Sequence, residues 1–145
     1  METVLRPGHG YVIISGIFSA LIPLWAGFNV SRARKEYNID YPQMYADSND
    51  ENGKKFNCIQ RAHQNVVENI STHYLLLLFS AIFRPEYAAI CALIRNLGFI
   101  TFVCGYSSGD PSKRKQGCFG YLGLLGMLGL SIEAACRLLN RCKAK

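Results

Sequence analysis

Between Asn57 and Thr72 the chain places ionisable and amide side chains at helical spacing. At about 100° per residue, Asn57, Arg61, Asn65, Glu68 and Thr72 share an arc of about 80°. An arginine, a carboxylate and two carboxamides on one face can hold a ligand carrying carboxylates, an ammonium and amides. The guanidinium would take a carboxylate, Glu68 the ammonium, and asparagine an amide. The plainer reading of this face is an Arg61–Glu68 ion pair that fixes packing. His63 points about 160° away from Arg61. It is either a packed, hydrogen-bonded residue or one that serves the same ligand from a neighbouring subunit. No second metal-type ligand stands at helical spacing on its face, so no metal site is expected.

A second line, Arg95, Phe99, Phe102 and Tyr106, shares one face of a later helix. Arg95 either joins the ligand face or forms a buried pair with Glu68 or Glu133. Arg34, Arg61 and Arg114 come from three different segments and converge with Tyr106 at one end of the bundle. A cationic cluster beside Glu68 suits a polar, anionic co-substrate that meets a lipid-soluble partner. Lys113 rivals Arg114; the guanidinium is preferred because it stays charged and binds as a fork. The plainer reading of both is a basic anchor at the membrane surface.

The elements that must position these residues are apolar. Tyr11 to Asn29 and Ile70 to Phe83 carry no charge; Tyr87 to Tyr106 carries only Arg95, and Gly117 to Cys136 only Glu133. A spanning helix needs roughly 20 apolar residues. The pattern predicts an all-α, four-transmembrane-helix bundle in one domain over residues 1–145, with helices over about 9–34, 57–83, 87–108 and 111–138. A water-soluble bundle would carry charges on each helix's outer face, and these segments have almost none. The first segment exceeds the roughly 7–15 apolar residues of a signal sequence and reads as a retained helix. Charges at membrane depth cost about 2.5–3.5 kcal/mol each on insertion scales, so the Arg61–Glu68 stripe should face the bundle interior or a wet cavity.

The net charge is +6. Arg32, Arg34, Lys35, Lys54, Lys55, Lys113, Arg114 and Lys115 lie in the two long connections. Arg6, Arg84, Arg137, Arg141, Lys143 and Lys145 lie at the opposite side. This imbalance favours connections in the cytosol and termini in the lumen. Membrane-surface contact accounts for the basic residues, and no nucleic-acid module accompanies them. Arg84-Pro85-Glu86 reads as a tight turn in which Pro85 stops the second helix. Asp110-Pro111 reads as the N-cap and first residue of the fourth. Glycines 117, 120, 123, 126 and 129 recur every three residues and permit close helix approach. Of six cysteines none forms a C-x-x-C pair, so free buried thiols are expected. Cys142, in the basic tail, is a candidate for acylation.

The run Arg61-Ala62-His63-Gln64-Asn65-Val66-Val67-Glu68 resembles the helix-two signature of the membrane-associated proteins of eicosanoid and glutathione metabolism, the MAPEG family. Phe56 to Asn65, Asn29 to Lys35, Tyr41-Pro42-Gln43-Met44-Tyr45, and Gly105-Tyr106 leading into Pro111-Ser112-Lys113-Arg114 resemble its type 3 microsomal glutathione S-transferase branch. The resemblance implies a homotrimer in the endoplasmic reticulum membrane or nuclear envelope, with a glutathione site at the subunit boundary facing the cytosol. It further implies that Arg61, Asn65, Glu68 and Tyr106 bind glutathione from one subunit, Arg34 and His63 reach in from the next, and Arg114 is the catalytic residue beside the sulfur. The activity implied is glutathione transferase, with peroxidase activity, towards a lipophilic electrophile or lipid hydroperoxide, including conjugation of an epoxide as in leukotriene C4 synthesis. The alternative is a non-catalytic lipid-binding scaffold. This branch usually carries Arg and Tyr where the chain has Phe99 and Phe102, and Arg95, one turn away, could replace the missing guanidinium.

Overall fold

The computed structural model describes residues 5–47 and 52–143, with side chains described as far as residue 140. Four α-helices and one 3-10 helix follow one another: α1 (Gly8–Tyr37), α2 (Gly53–Ser80), α3 (Pro85–Tyr106), the 3-10 helix (Pro111–Gly117) and α4 (Gly120–Lys143). No strand occurs among the described residues. Three helices are long and apolar enough to cross a membrane: α1, α3, and α4 over Gly120–Asn140. α2 is not among them, because its first half carries the polar stripe.

The outer faces of these helices expose large apolar side chains, including Ile13, Ile17, Leu21, Leu24, Leu122 and Leu125. In water such a surface would be a contiguous sticky patch. In a bilayer it matches the solvent, while helices satisfy every backbone polar group internally. The chain is a multi-pass membrane protein.

Buried side chains form three stacked clusters. Val12, Leu77, Ala88, Ala92 and Met127 fill one end. Ile22, Ala62, Val66, Phe99 and Val103 fill the middle. Ala33, Ile39, Ala46 and Phe56 close the end beneath the α1–α2 connection. A polar knot ties three helices inside the apolar core. Ser19 Oγ lies 2.8 Å from His73 Nε2 and 3.0 Å from Asn96 Oδ1. All three side chains are fully buried. Nothing in the sequence marks this knot, since each member stands alone in its own segment.

Two elements depart from the sequence reading. Pro85 does not merely follow α2, which ends at Ser80; it opens α3 at the first helical turn, where its missing N–H is harmless. The helix expected from residue 111 begins instead at Gly120, after the 3-10 helix. Asp110 caps that shorter element: its carboxylate accepts from Ser112 N at 2.9 Å and from Ser112 Oγ at 2.8 Å. The 3-10 helix and the start of α4 both pack closely against the backbone of α3. A Cβ at Gly98 would lie 2.5 Å from Gly120 Cα, and one at Gly105 would lie 2.5 Å from the Lys113 carbonyl oxygen. The described cysteines are free, as expected, but only Cys58 is buried; Cys91 is half-buried, and Cys104, Cys118 and Cys136 are exposed. The Cys142 side chain lies outside the described residues.

Candidate functional site

The stripe on α2 divides by depth. Asn57 is committed to the fold: its amide accepts from Ala46 N at 2.8 Å and donates to Ala46 O at 3.1 Å, clamping the α1–α2 connection onto α2. One turn further, Arg61 Nη1 donates to Glu68 Oε1 at 3.0 Å. Their side chains are 43% and 44% exposed, so the pair faces outward from the single chain. Accessible pairs of this kind contribute about 0–1 kcal/mol, and a ligand can open them at little cost.

Two cavities flank the stripe. A cavity of about 440 Å³ is lined by Tyr45, Asp47, Lys54, Asn57, Cys58, Arg61 and Tyr106. A second, of about 190 Å³, is lined by Asn65, Arg95, Phe99, Phe102, Arg114 and Tyr121, among others. Arg61 and Asn65 are one turn apart on α2, and Arg114 Cζ stands 6.0 Å from the Tyr106 ring centre. The two cavities are therefore adjacent. Of the basic run, Arg114 and Lys115 line the smaller cavity and Lys113 does not. Arg114 reaches it from the 3-10 helix, not from the first turns of α4.

Arg34 and His63 stand apart from both cavities on the α1 side. Arg34 Nη1 donates to Gln43 O at 2.7 Å and Ile39 O at 3.4 Å, and the guanidinium lies 4.5 Å from the Tyr41 ring centre. It fastens the connection of its own chain. His63 packs beside Gly27 of α1, where an added Cβ would lie 3.5 Å from His63 Nε2.

Arg95 forms no pair with Glu68 or Glu133. Glu68 is taken by Arg61, and Glu133 accepts from Arg84 and Arg137 at the far end of the molecule. The Arg95 guanidinium is instead held between rings, 4.2 Å from the centre of Phe99 and 4.7 Å from that of Tyr121. Arg95 Nη2 donates to Asn69 Oδ1 at 3.3 Å, and Nε has no hydrogen-bond partner. Arg95 is only 4% exposed.

Outside the apolar spans, the Ser112 side chain and backbone together with Lys113 and Lys54 hold the Asp110 carboxyl below its ordinary range. This acid anchors the element that carries Arg114. Among the described residues no cluster of His, Cys, Asp or Glu could hold a metal.

The MAPEG family model matches residues 12–136, a range that contains every residue lining the two cavities. The chain belongs to the MAPEG family. MAPEG proteins include glutathione-dependent transferases and eicosanoid synthases, together with non-catalytic members. The match runs from within α1 to within α4.

Proposed function

We propose that this MAPEG protein is a glutathione-dependent transferase of the type 3 microsomal branch, with peroxidase activity. Its acceptors are lipophilic electrophiles or lipid hydroperoxides, and a leukotriene C4 synthase-like conjugation falls within this class. The carrying observation is the pair of adjacent cavities, one presenting Arg61 and Tyr106, the other Asn65 and Arg114. The donor set fits a tripeptide with two carboxylates, an ammonium and a thiol. Arg61 would take a carboxylate once its pair with Glu68 opens, freeing Glu68 for the ammonium. Asn65 would meet an amide, and Tyr106 would add a hydroxyl.

Glutathione supplies a thiol that is mostly protonated near neutrality, with a pKa near 8.5 if it resembles free cysteine. Arg114, always charged, would favour the anion. Lowering the thiol by about two pH units requires roughly 2.7 kcal/mol. A guanidinium at hydrogen-bond distance in a partly dry cavity can provide that. The nearby start of α4 at Gly120 adds positive dipole in the same direction.

In this reading α2 crosses as a fourth span, with its polar stripe turned to a boundary between subunits of a homotrimer. Arg34 and His63 then come from the next subunit. The connections face the cytosol of an endoplasmic reticulum or nuclear-envelope membrane. The outward exposure of the Arg61–Glu68 pair supports a boundary there.

Ultraviolet difference absorbance of bound glutathione tests the reading. A thiolate band at neutral pH that Arg114→Ala abolishes is the expected result. Glutathione or lipid binding without any band would sink the transferase. One observation favours the second reading, a non-catalytic lipid-binding scaffold. A mainly apolar groove of about 440 Å³ lies between α1 and α3, lined by Ile14, Phe18, Ala89, Ile90 and Leu93 together with Tyr11, Ser15 and Glu86, and Arg114 is not part of it.

A further inference from the structure

Arg95 is a full positive charge inside the bundle without a carboxylate. The two acids that the sequence offered as its partners are engaged elsewhere: Glu68 holds Arg61, and Glu133 holds Arg84 and Arg137. An unpaired buried charge is strongly unfavourable, and intramembrane ionisable groups as a rule mark a ligand or ion path. Neither Phe99, Tyr121 nor the Asn69 amide neutralises it. Ring faces, the Tyr121 hydroxyl and a 3.3 Å hydrogen bond to the Asn69 amide oxygen are all neutral; they orient the guanidinium while leaving its charge uncompensated. Nε is left without a partner. The same guanidinium lines the 190 Å³ cavity together with Arg114 and Lys115, and no carboxylate lines that cavity.

We propose that Arg95 is an anion-binding residue that seats a compact anionic group between Phe99 and Tyr121, deeper in the bundle than Arg114, and so sets which anionic ligands the cavity accepts. The shared chemistry is a small, singly charged group with an apolar flank, because its cradle is a guanidinium edge between two rings. Two sources present such a group here: the thiolate of glutathione from the polar end, and the carboxylate of a single-chain amphiphile from the bilayer. The inference rests on the proposed function for the first source only.

The test uses the full chain in lipid nanodiscs, as parent, Arg95→Met and Arg95→Lys. S-methylglutathione binding reports the tripeptide site without an ionisable sulfur. The thiolate band of glutathione reports the first source. The preference for oleate over methyl oleate, read by native mass spectrometry, reports the second. Losing a charge-assisted hydrogen bond predicts that Arg95→Met lowers one of the two anion readouts about tenfold or more. S-methylglutathione binding should be unchanged, and Arg95→Lys should fall between. Because Met removes an uncompensated buried charge, the melting temperature of Arg95→Met should hold or rise.

Which readout moves names the source. Both anion readouts unchanged would overturn the proposal. So would a lowered melting temperature with dissociation of the oligomer, which would mark Arg95 as the partner of a carboxylate on a neighbouring subunit. If the parent does not bind S-methylglutathione, the glutathione reading fails and the oleate comparison alone decides for Arg95. If Arg95→Met cannot be recovered, Arg95→Lys decides: a severalfold loss supports the proposal, and none overturns it.

Discussion

Arg61 and Arg114 carry the same charge in different settings, and their substitutions should separate. Arg61 has an accessible partner in Glu68, 3.0 Å away, and lines the larger cavity. Arg61→Ala removes a charge-assisted contact worth roughly 1.5–3 kcal/mol. Glutathione binding should weaken about tenfold to a hundredfold, measured by titration with S-methylglutathione. Arg114→Ala should leave that titration within a few-fold of the parent and remove the thiolate band, since its proposed contact is with the sulfur alone. Equal loss of both readouts in both variants would mean that the cavities hold a ligand differently. The stripe containing Arg61 was legible in the sequence because a helical period fixes which residues share a face. What each one touches was not legible. Asn57 reads like a ligand carboxamide, yet its partners are the two backbone atoms of Ala46, brought near by a loop whose path no periodicity encodes. Arg95 likewise had three candidate roles, and only tertiary packing shows it paired with neither Glu68 nor Glu133.

At the scale of elements, the glycines spaced by three are not equivalent. Gly98 meets Gly120 backbone to backbone, so no rotamer change can relieve an added methyl group. Gly98→Ala should destabilise by about 1–3 kcal/mol or more, as overpacking does. It should also displace the segment that carries Arg114. Gly129 has open space around its would-be Cβ, and Gly129→Ala should be neutral or stabilising by up to about 1 kcal/mol. Thermal melts in detergent read both, and equal effects would mean that the seam against α3 does not control packing. The Asp110 cap adds a pH dependence. A carboxyl held below its ordinary value stabilises the fold above the unfolded pKa, near 3.8, and that contribution fades as pH falls through the lower folded value. The melting-temperature gap between the parent and Asp110→Asn should therefore be full at pH 6 and close on acidification below about 4. A constant gap would assign it to shape instead of charge. The sequence announced a helix start at Asp110-Pro111 because capping chemistry is shared by 3-10 and α-helices. The start of α4 lies against Gly98, distant in sequence, and no local signal carries that contact.

At the scale of the molecule, the polar stripe opens outward while the outer faces of the apolar spans expose large aliphatic side chains. A charged pair turned to lipid is unfavourable, so that face calls for a neighbouring subunit or a wet boundary. The apolar spans were plain from runs without charge, whereas assembly leaves no mark of that kind in one chain. The proposed trimer places Arg61, Asn65, Tyr106 and Arg114 of one subunit opposite Arg34 of the next. In the single chain, however, Arg34 ties down its own connection through Gln43 and Tyr41. Mixed trimers separate these roles. Arg34→Ala and Arg61→Ala should each lose glutathione binding alone. Co-assembled, a boundary that joins the intact α2 of the Arg34→Ala subunit to the intact α1 of the Arg61→Ala subunit is complete again, so binding should return to a fraction of the boundaries. Arg61→Ala mixed with Arg114→Ala should recover no thiolate band, because both residues serve one boundary from the same chain. If the first mixture also stays silent while mass measurement shows mixed trimers, Arg34 acts by closing its own loop. The defect then stays within the chain that carries it, and the ligand is held by one subunit's α2, α3 and 3-10 helix.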